Sequence, residues 1–460
     1  MAALDAVFKA YDVRGTVPDQ LDAGLCRAIG AAFARFAVEA GSAPAAAEAS
    51  RGRVLVARDM RRSGVELAAA FAEGVQGQGL DVIDLGLTST DMLYFAAGKL
   101  DAPGAMFTAS HNPATYNGIK LCLAGAKPVG QDTGLDRIKA MVASGVPAAH
   151  TEPGHLSTRN LLGDFAAHVH SFVDQSVLRP LKVVADTANG MGGLVVPKVF
   201  EGLPFQLDLL YGELDGTFPN HPADPIQPEN QADLRARVVA TGADVGLAFD
   251  GDADRVFVVD EQGVGLSGST TTALVAGVVL DREPGATILH NCICSKVVPE
   301  VVHERGGKPI RTKVGHSFIK AVMAETGAAF GGEHSAHYYF RDNWRADSGI
   351  IAALLVLEEM SRTGQPLSAL RKPYERYADS GEINTTVSDP LAVIERVAAA
   401  FPDGDQDRLD GLTVDLGPWW FNLRPSNTEP LLRLNLEAPT GAECDAHVAE
   451  LLALIRPTNT

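Results

Sequence analysis

Three aspartates, Asp250, Asp252 and Asp254, alternate in a short loop that Arg255 closes. Carboxylates this close repel one another unless a hard cation neutralises them, and an all-oxygen set suits Mg²⁺ or Ca²⁺. The spacing also fits the start of an EF-hand, with Glu261 at its twelfth position. But Arg255 stands at the sixth position, where that loop needs glycine, and the flanks read as strands. The loop is therefore read as a Mg²⁺ site. Its remaining ligands would be water or phosphate oxygens, and Arg255 could brace the charge that spreads over a phosphoryl group in transfer.

Ser110 supplies a place for such a group. The apolar run Gly104 to Phe107 leads into Thr108-Ala109-Ser110-His111-Asn112-Pro113, and Gly118 to Leu123 follows. That is strand, loop, strand, with Ser110 at the turn, His111 beside it and Lys120 close behind. Such a serine is a candidate nucleophile or phosphate carrier. A loop serine by itself would be read as bonding its own backbone; the aspartate loop changes that reading. A phosphoryl group on Ser110 would give the metal a further oxygen.

Two more loops carry chemistry. Arg424-Pro425-Ser426-Asn427-Thr428-Glu429-Pro430 reads as a phosphate clamp: a guanidinium fork from Arg424, with hydroxyl, amide and backbone donors from Ser426, Asn427 and Thr428. Glu333, Ser335 and His337 alternate in Gly332 to His337. The carboxylate and hydroxyl could grip vicinal sugar hydroxyls, and His337 could move a proton near neutrality. Lys313 to Ser317, with His316, precedes a helix whose N-terminus could help hold an anion. Asn189 to Gly193 is only weakly similar to a dinucleotide loop and is read as a turn. His168 and His170 are read as surface or core residues.

These loops require positioning elements. Asp19 to Phe36 has a helical period, Ser63 and Glu66 have the spacing of a capping box, and Val54–Ala57, Val82–Leu85 and Gly104–Thr108 read as strands around helix Thr90–Lys99. A second α/β pass runs from Lys182 to Phe249 and delivers the aspartate loop. A third, from Thr270 to Phe330, delivers Glu333. From Ser380 on, the pattern becomes a smaller α+β domain around the Arg424 loop. The expected fold is α/β: three related domains with mixed sheets plus a smaller C-terminal domain. The expected boundaries are 1–150 for the Ser110 domain, 151–260 for the metal-binding domain, 261–375 for the sugar-recognition domain and 376–460 for the clamp domain. Ligand loops at strand carboxyl ends are the rule in open α/β sheets.

The net charge of −18 argues against nucleic acid as a partner, since phosphate backbones need a basic surface. Five scattered cysteines, with Cys292 and Cys294 alternating along a strand, suit buried thiols in a reducing compartment. No signal peptide or run of transmembrane length is read, so a cytoplasmic chain without a membrane partner is expected.

The order of Tyr11-Asp12-Val13-Arg14-Gly15, Thr108 to Pro113, Asp250 to Arg255, Glu333 to His337 and Arg424 to Pro430 resembles that of the α-D-phosphohexomutases, most closely the bacterial phosphomannomutase/phosphoglucomutase branch. The resemblance spans nearly the whole chain. It implies four domains around a central cleft, and a phosphoserine at Ser110. It also implies Mg²⁺ on Asp250, Asp252, Asp254 and the phosphoserine oxygen, with interconversion of hexose 1- and 6-phosphates of mannose or glucose through a 1,6-bisphosphate. By position, Arg424, Ser426, Asn427 and Thr428 would hold the phosphate not in transfer, and Glu333 and Ser335 would read the sugar. Tyr11, Arg14, Lys120, Arg255, Lys296, His316 and His337 would line the cleft as cations or proton carriers. The general base stays open among Arg255, Lys120 and His337. A monomer is expected. The sugar loop departs from many relatives at His334 and Ala336, and Ser89-Thr90-Asp91 stands where relatives often place Thr-Pro. The rival readings are a phosphoglucosamine mutase, to which Asn427 is less suited, a serine- and metal-dependent phosphohydrolase, which would not need the second clamp, and a sugar-phosphate sensor, which would not need Ser110 with the aspartates.

Overall fold

Arg53–Arg58, Gly104–Phe107 and Val245–Phe249 are short apolar runs buried along nearly their whole length, the mark of strands covered on both faces. The computed structural model describes residues 2–44, 51–147, 149, 152–425 and 431–456. It builds two compact units: residues 1–267 with 335–370, and residues 268–334 with 371–460.

The first unit holds two mixed sheets. In one, Arg53–Arg58 lies between Asp81–Leu87 and Gly104–Phe107, all parallel, with helices Ser63–Gln76 and Thr90–Lys99 as the crossovers. Tyr116–Leu123 then turns back antiparallel on Gly104–Phe107, and Val13–Thr16 pairs with its far side. The reversal leaves residues 108–115 as a loop at the carboxyl end of a central strand, and Ser110 lies in it. Phe71 packs edge-on against Phe107 at 5.5 Å and tilted on Phe33 at 6.0 Å, filling the core beneath.

In the other sheet Lys182–Asp186 lies parallel between Gln206–Leu210 and Val245–Phe249. Val256–Asp260 returns antiparallel to Val245–Phe249, so the aspartate loop is the hairpin between two fully buried strands. This strand-flanked setting is that of no EF-hand. Glu261, the would-be twelfth ligand, instead accepts from the Ser368 hydroxyl and, at 3.1 Å, from its backbone N–H.

Helix Gly349–Thr363, which the sequence pattern does not show, also belongs to this unit. It is buried on nearly every side and so presents no polar stripe for a period to reveal. Ser348 caps it, and Gly349 is required there: a Cβ would stand 2.7 Å from the Arg255 carbonyl carbon. The expected capping box of Ser63 and Glu66 does not form. Arg62 occupies the cap without a side-chain bond, and the Ser63 hydroxyl accepts from the Asn117 amide at 2.9 Å, inside the first turn.

In the second unit Thr287–Asn291 lies parallel between Lys308–Thr312 and Phe330–Gly332. A separate antiparallel sheet pairs Leu412–Asp415, Trp420–Pro425 and Leu431–Ala438, and helices Pro390–Ala400 and Gly441–Ile455 contribute to its apolar core. The five cysteines are buried, and none is in a disulfide. Among the described residues no helix is long and apolar enough to cross a membrane.

Asp91 ties the first unit together. Fully buried on helix Thr90–Lys99, it accepts from Ser89 and, at 2.6 Å, from Ser348 at the start of helix Gly349–Thr363. Burial, partly offset by these hydroxyls, pushes its pKa up to about 7. An unfolded aspartate titrates near 3.9, so folding favours the protonated form. This contribution is complete below about pH 4 and is lost as pH rises through about 7. Asp91→Asn stays neutral throughout. In thermal unfolding from about pH 5 to about pH 8, the Tm of the wild type should fall relative to that of the variant; parallel profiles would contradict the assignment.

Candidate active site

The Ser110 loop is shaped from beneath by Arg61. This side chain is almost fully buried, and each of its five N–H bonds is used. Nη2 donates to the carbonyls of Ser110 (2.9 Å) and Asn112 (2.6 Å), and Nη1 to those of Pro113 (2.8 Å) and Tyr116 (3.1 Å). Nε donates to Asp59 at 3.2 Å, and the guanidinium carbon lies 5.0 Å from the Phe218 ring centre. Ser110 takes a left-handed φ of 48°, and its N–H donates to the Thr108 hydroxyl at 2.9 Å. Such a backbone is uncommon for serine and persists only where the surroundings fix it.

The aspartate loop comes directly against it. Ser110 Oγ donates to Asp250 Oδ2 at 2.7 Å. A Cβ on Gly251 would stand 2.4 Å from the Ser110 carbonyl oxygen, so only glycine permits this approach. Behind it the Asn189–Gly193 turn packs on the same loop, with Met191 N–H donating to the Gly251 carbonyl at 2.9 Å. Thr90 holds Asp252 twice, hydroxyl to Oδ2 at 2.6 Å and N–H to the carbonyl at 3.0 Å.

The charges are buried and closely paired. Lys120 Nζ donates to Asp252 at 2.8 Å and Asp254 at 2.7 Å, and Arg255 Nε to Asp250 at 2.9 Å. Burial pushes Asp250 well above the usual carboxylate range, against the pull of Arg255. Burial acts the same way on Asp252, but Lys120 and the Thr90 hydroxyl outweigh it and hold Asp252 below that range. Burial would likewise lower Lys120, yet Asp252 and Asp254 hold it well above an ordinary lysine, as an ammonium. Asp252 Oδ1 and Asp254 Oδ1 are buried with no hydrogen-bond partner, and ligand oxygens of the three aspartates lie within 4.8 Å of one another. Orphaned carboxylate oxygens converging on one place fit a hard divalent cation.

His111 accepts from Arg255 Nη2 at Nδ1 (2.7 Å), with Ser110 Oγ 3.3 Å away. Burial and then the charges of Arg255 and Arg14 lower its pKa well below the ordinary value, so it is neutral. Arg14 bonds Asn112 Oδ1 at 2.6 Å and Asp12 at 2.5 Å, buttressing the loop from its other side. Tyr11 is half-buried nearby in sequence. His337 Nδ1 lies 3.1 Å from Ser335 Oγ, and its Nε2 lies 3.8 Å from Asp254. The first unit thus brings together Ser110, His111, Arg14, Lys120, Arg255, His337 and the three aspartates.

The remaining expected residues belong to the second unit. Glu333 Oε1, buried, accepts from Asn291 at 3.2 Å and from Gly315 N–H at 3.0 Å, at the start of the helix that His316 opens. Lys296 Nζ is held by Asp415 at 2.6 Å and by the Gly417 carbonyl at 2.9 Å. Arg424 faces Arg433 across the antiparallel pair, and both reach Glu382 at 3.1 Å. Ser426, Asn427 and Thr428 lie outside the described residues. Arg61 and Arg433 are the site-supporting cations that the sequence reading does not single out. A hydrogen-bonded strand register reveals Arg433; nothing in the Met60-Arg61-Arg62 run shows which arginine turns inward.

Four family models match in order, all of phosphoglucomutase/phosphomannomutase: α/β/α domain I over residues 5–147, domain II over 163–263, domain III over 267–377 and the C-terminal domain over 382–454. The chain belongs to the phosphoglucomutase/phosphomannomutase family. It is an isomerase, a phosphohexomutase. A protein of Xanthomonas campestris described as phosphohexose mutases is 41% identical over 94% of both chains. The phosphomannomutase of Salmonella montevideo is 37% identical over 97% of this chain and 98% of its own. Among solved structures, a phosphoglucomutase/phosphomannomutase family protein of Burkholderia thailandensis superposes with a TM-score of 0.88 at 33% identity, covering 99% of this chain and 98% of its own.

In this mutase the Arg61 fork is geometric as well as ionic, and lysine cannot reproduce it. Arg61→Lys should lose about 3 kcal/mol of stability, because carbonyls and Asp59 are left buried without full partners. It should also lower kcat by about 100-fold, since a displacement of about 1 Å in the reacting group has that effect. Denaturant unfolding and steady-state turnover below the melting range measure the two separately; wild-type kcat in a folded variant would refute the positioning role.

Proposed function

We propose that this mutase interconverts the 1- and 6-phosphates of mannose or glucose, with Mg²⁺ on Asp250, Asp252 and Asp254, a phosphoserine at Ser110 and a hexose 1,6-bisphosphate as intermediate and activator. The observation that carries the reading is the 2.7 Å bond from Ser110 Oγ into the aspartate triad, with Arg255 Nη2 3.3 Å from the same oxygen. A hydroxyl so placed is set among acidic ligands and a cation that a phosphoryl group would need. Mg²⁺, when bound, supplies Lewis-acid polarisation of the phosphoryl oxygens.

The chain's own groups divide the remaining tasks. Arg255 steadies charge on the phosphoryl oxygens. Lys120 and Arg255 are both held as cations by ion pairs to the aspartates, and His337, 3.8 Å from Asp254 and outside those pairs, acts as the proton carrier for the attacking hydroxyl. Glu333 and Ser335 grip sugar hydroxyls. Arg424, with Ser426, Asn427 and Thr428, holds the phosphate not in transfer, and Tyr11, Arg14, Lys296 and His316 add polar contacts to the substrate. His111, neutral and held by Arg255, positions that guanidinium rather than taking a proton. One chain carries the carrier, the metal set and the clamp, so a monomer suffices.

Activity with the 1-phosphates of mannose, glucose and glucosamine, measured side by side as kcat/KM, tests this. Turnover of the mannose and glucose esters should require Mg²⁺, rise with a trace of the 1,6-bisphosphate and vanish in Ser110→Ala. A preference for the glucosamine ester would make the chain a phosphoglucosamine mutase. Steady release of inorganic phosphate without isomerisation would indicate a phosphohydrolase.

A further inference from the structure

His337 and Asp347 face each other at the ends of a turn. Strand Tyr338–Phe340 follows His337, Tyr339 bridges to Asp347, and Ser348 N–H donates to the Tyr338 carbonyl at 2.9 Å. Their side chains come near Asp254. Lys120 takes Asp254 Oδ2, while Asp254 Oδ1 has no hydrogen-bond partner and lies 3.8 Å from His337 Nε2. Asp347 Oδ2 lies 4.0 Å from the same nitrogen. Ligand atoms of the three residues lie within 4.8 Å of one another, and both carboxylates are buried.

We propose that Asp254, His337 and Asp347 form a second divalent-metal site, selective for an imidazole-binding ion such as Zn²⁺ over Mg²⁺. The distances are too long for hydrogen bonds from Nε2 to either carboxylate. An ion bound at about 2.0–2.2 Å would need only a contraction of under about 1 Å to take all three. The donor set decides the ion: one nitrogen and two oxygens suit Zn²⁺, whereas Mg²⁺ prefers oxygen and water. Ser335 supplies the outer partner. Its hydroxyl lies 3.1 Å from His337 Nδ1, and the tautomer that donates Nδ1–H to it is the one that leaves the Nε2 lone pair for an ion, as in metal-ligating histidines. The surroundings are electronegative, for Asp254 and Asp347 both contribute to the raised pKa of Asp91. The ion would occupy the nitrogen assigned to proton transfer and share Asp254 with the triad. Inhibition by Zn²⁺ rests on the proposed function; binding does not.

The test is Co²⁺ titration of the full-length enzyme in saturating Mg²⁺, read from visible d–d absorption, followed by displacement with Zn²⁺. One equivalent should bind. Asp347→Asn and His337→Gln should each weaken it by about 10–100-fold, while Asp250→Asn, in the triad alone, should leave it within about twofold. A cooperative thermal transition establishes that each variant is folded, and should Asp347→Asn not fold, His337→Gln carries the comparison. Loss in Asp250→Asn with retention in the folded His337→Gln would place the ion on the triad and overturn the proposal, as would no Co²⁺ band at all. Because the readout is spectroscopic, it stands apart from the sugar-phosphate assays: absent turnover with intact Co²⁺ binding would count against the function alone.

Discussion

A single buried guanidinium sets the shape on which the site depends. Arg61 gathers four carbonyls of the 110–116 loop around one planar group, with Asp59 as its counter-charge. A charge taken out of water is costly unless every donor finds an acceptor. Here all five do, and the compensation is tied to one loop geometry. Carbonyls brought to a common centre compel the turn that gives Ser110 its left-handed backbone.

The aspartate hairpin meets that loop under a second constraint, the absence of a side chain at Gly251. Steric necessity and charge then work together. Two strands buried on both faces hold the ends of the hairpin, Thr90 and the Asn189–Gly193 turn hold its outside, and Lys120 and Arg255 offset part of its negative charge. Two of the carboxylate oxygens are nonetheless buried without a hydrogen-bond partner, a deficit of the kind that a divalent cation would fill.

The sequence was most readable where chemistry is local. Alternating aspartates and a serine between two apolar runs each mark a candidate site within a few positions, and the α/β succession follows from strand and helix periods. It was least readable where an element lacks contrast or its partners are main-chain atoms. Helix Gly349–Thr363 has no polar face to betray it. Arg61 binds carbonyls, which every residue possesses, so no pattern marks it. Ser63 has the spacing of a cap but is drawn to Asn117, 54 positions away. Asp91, a polar residue at a helix start, resembles a surface aspartate until helix Gly349–Thr363 is seen to cover it.

The loop around Ser110 is gripped through its main chain: the residue's N–H, its carbonyl and the carbonyls beyond it. The side chain contributes a hydroxyl and little of the scaffold. Position 110 is therefore a socket whose reactive head can be exchanged while the mounting stays fixed. A thiol or a bare methyl could be installed at the same place and angle. The fold thus offers a chassis for asking what an oxygen nucleophile does there that other heads cannot.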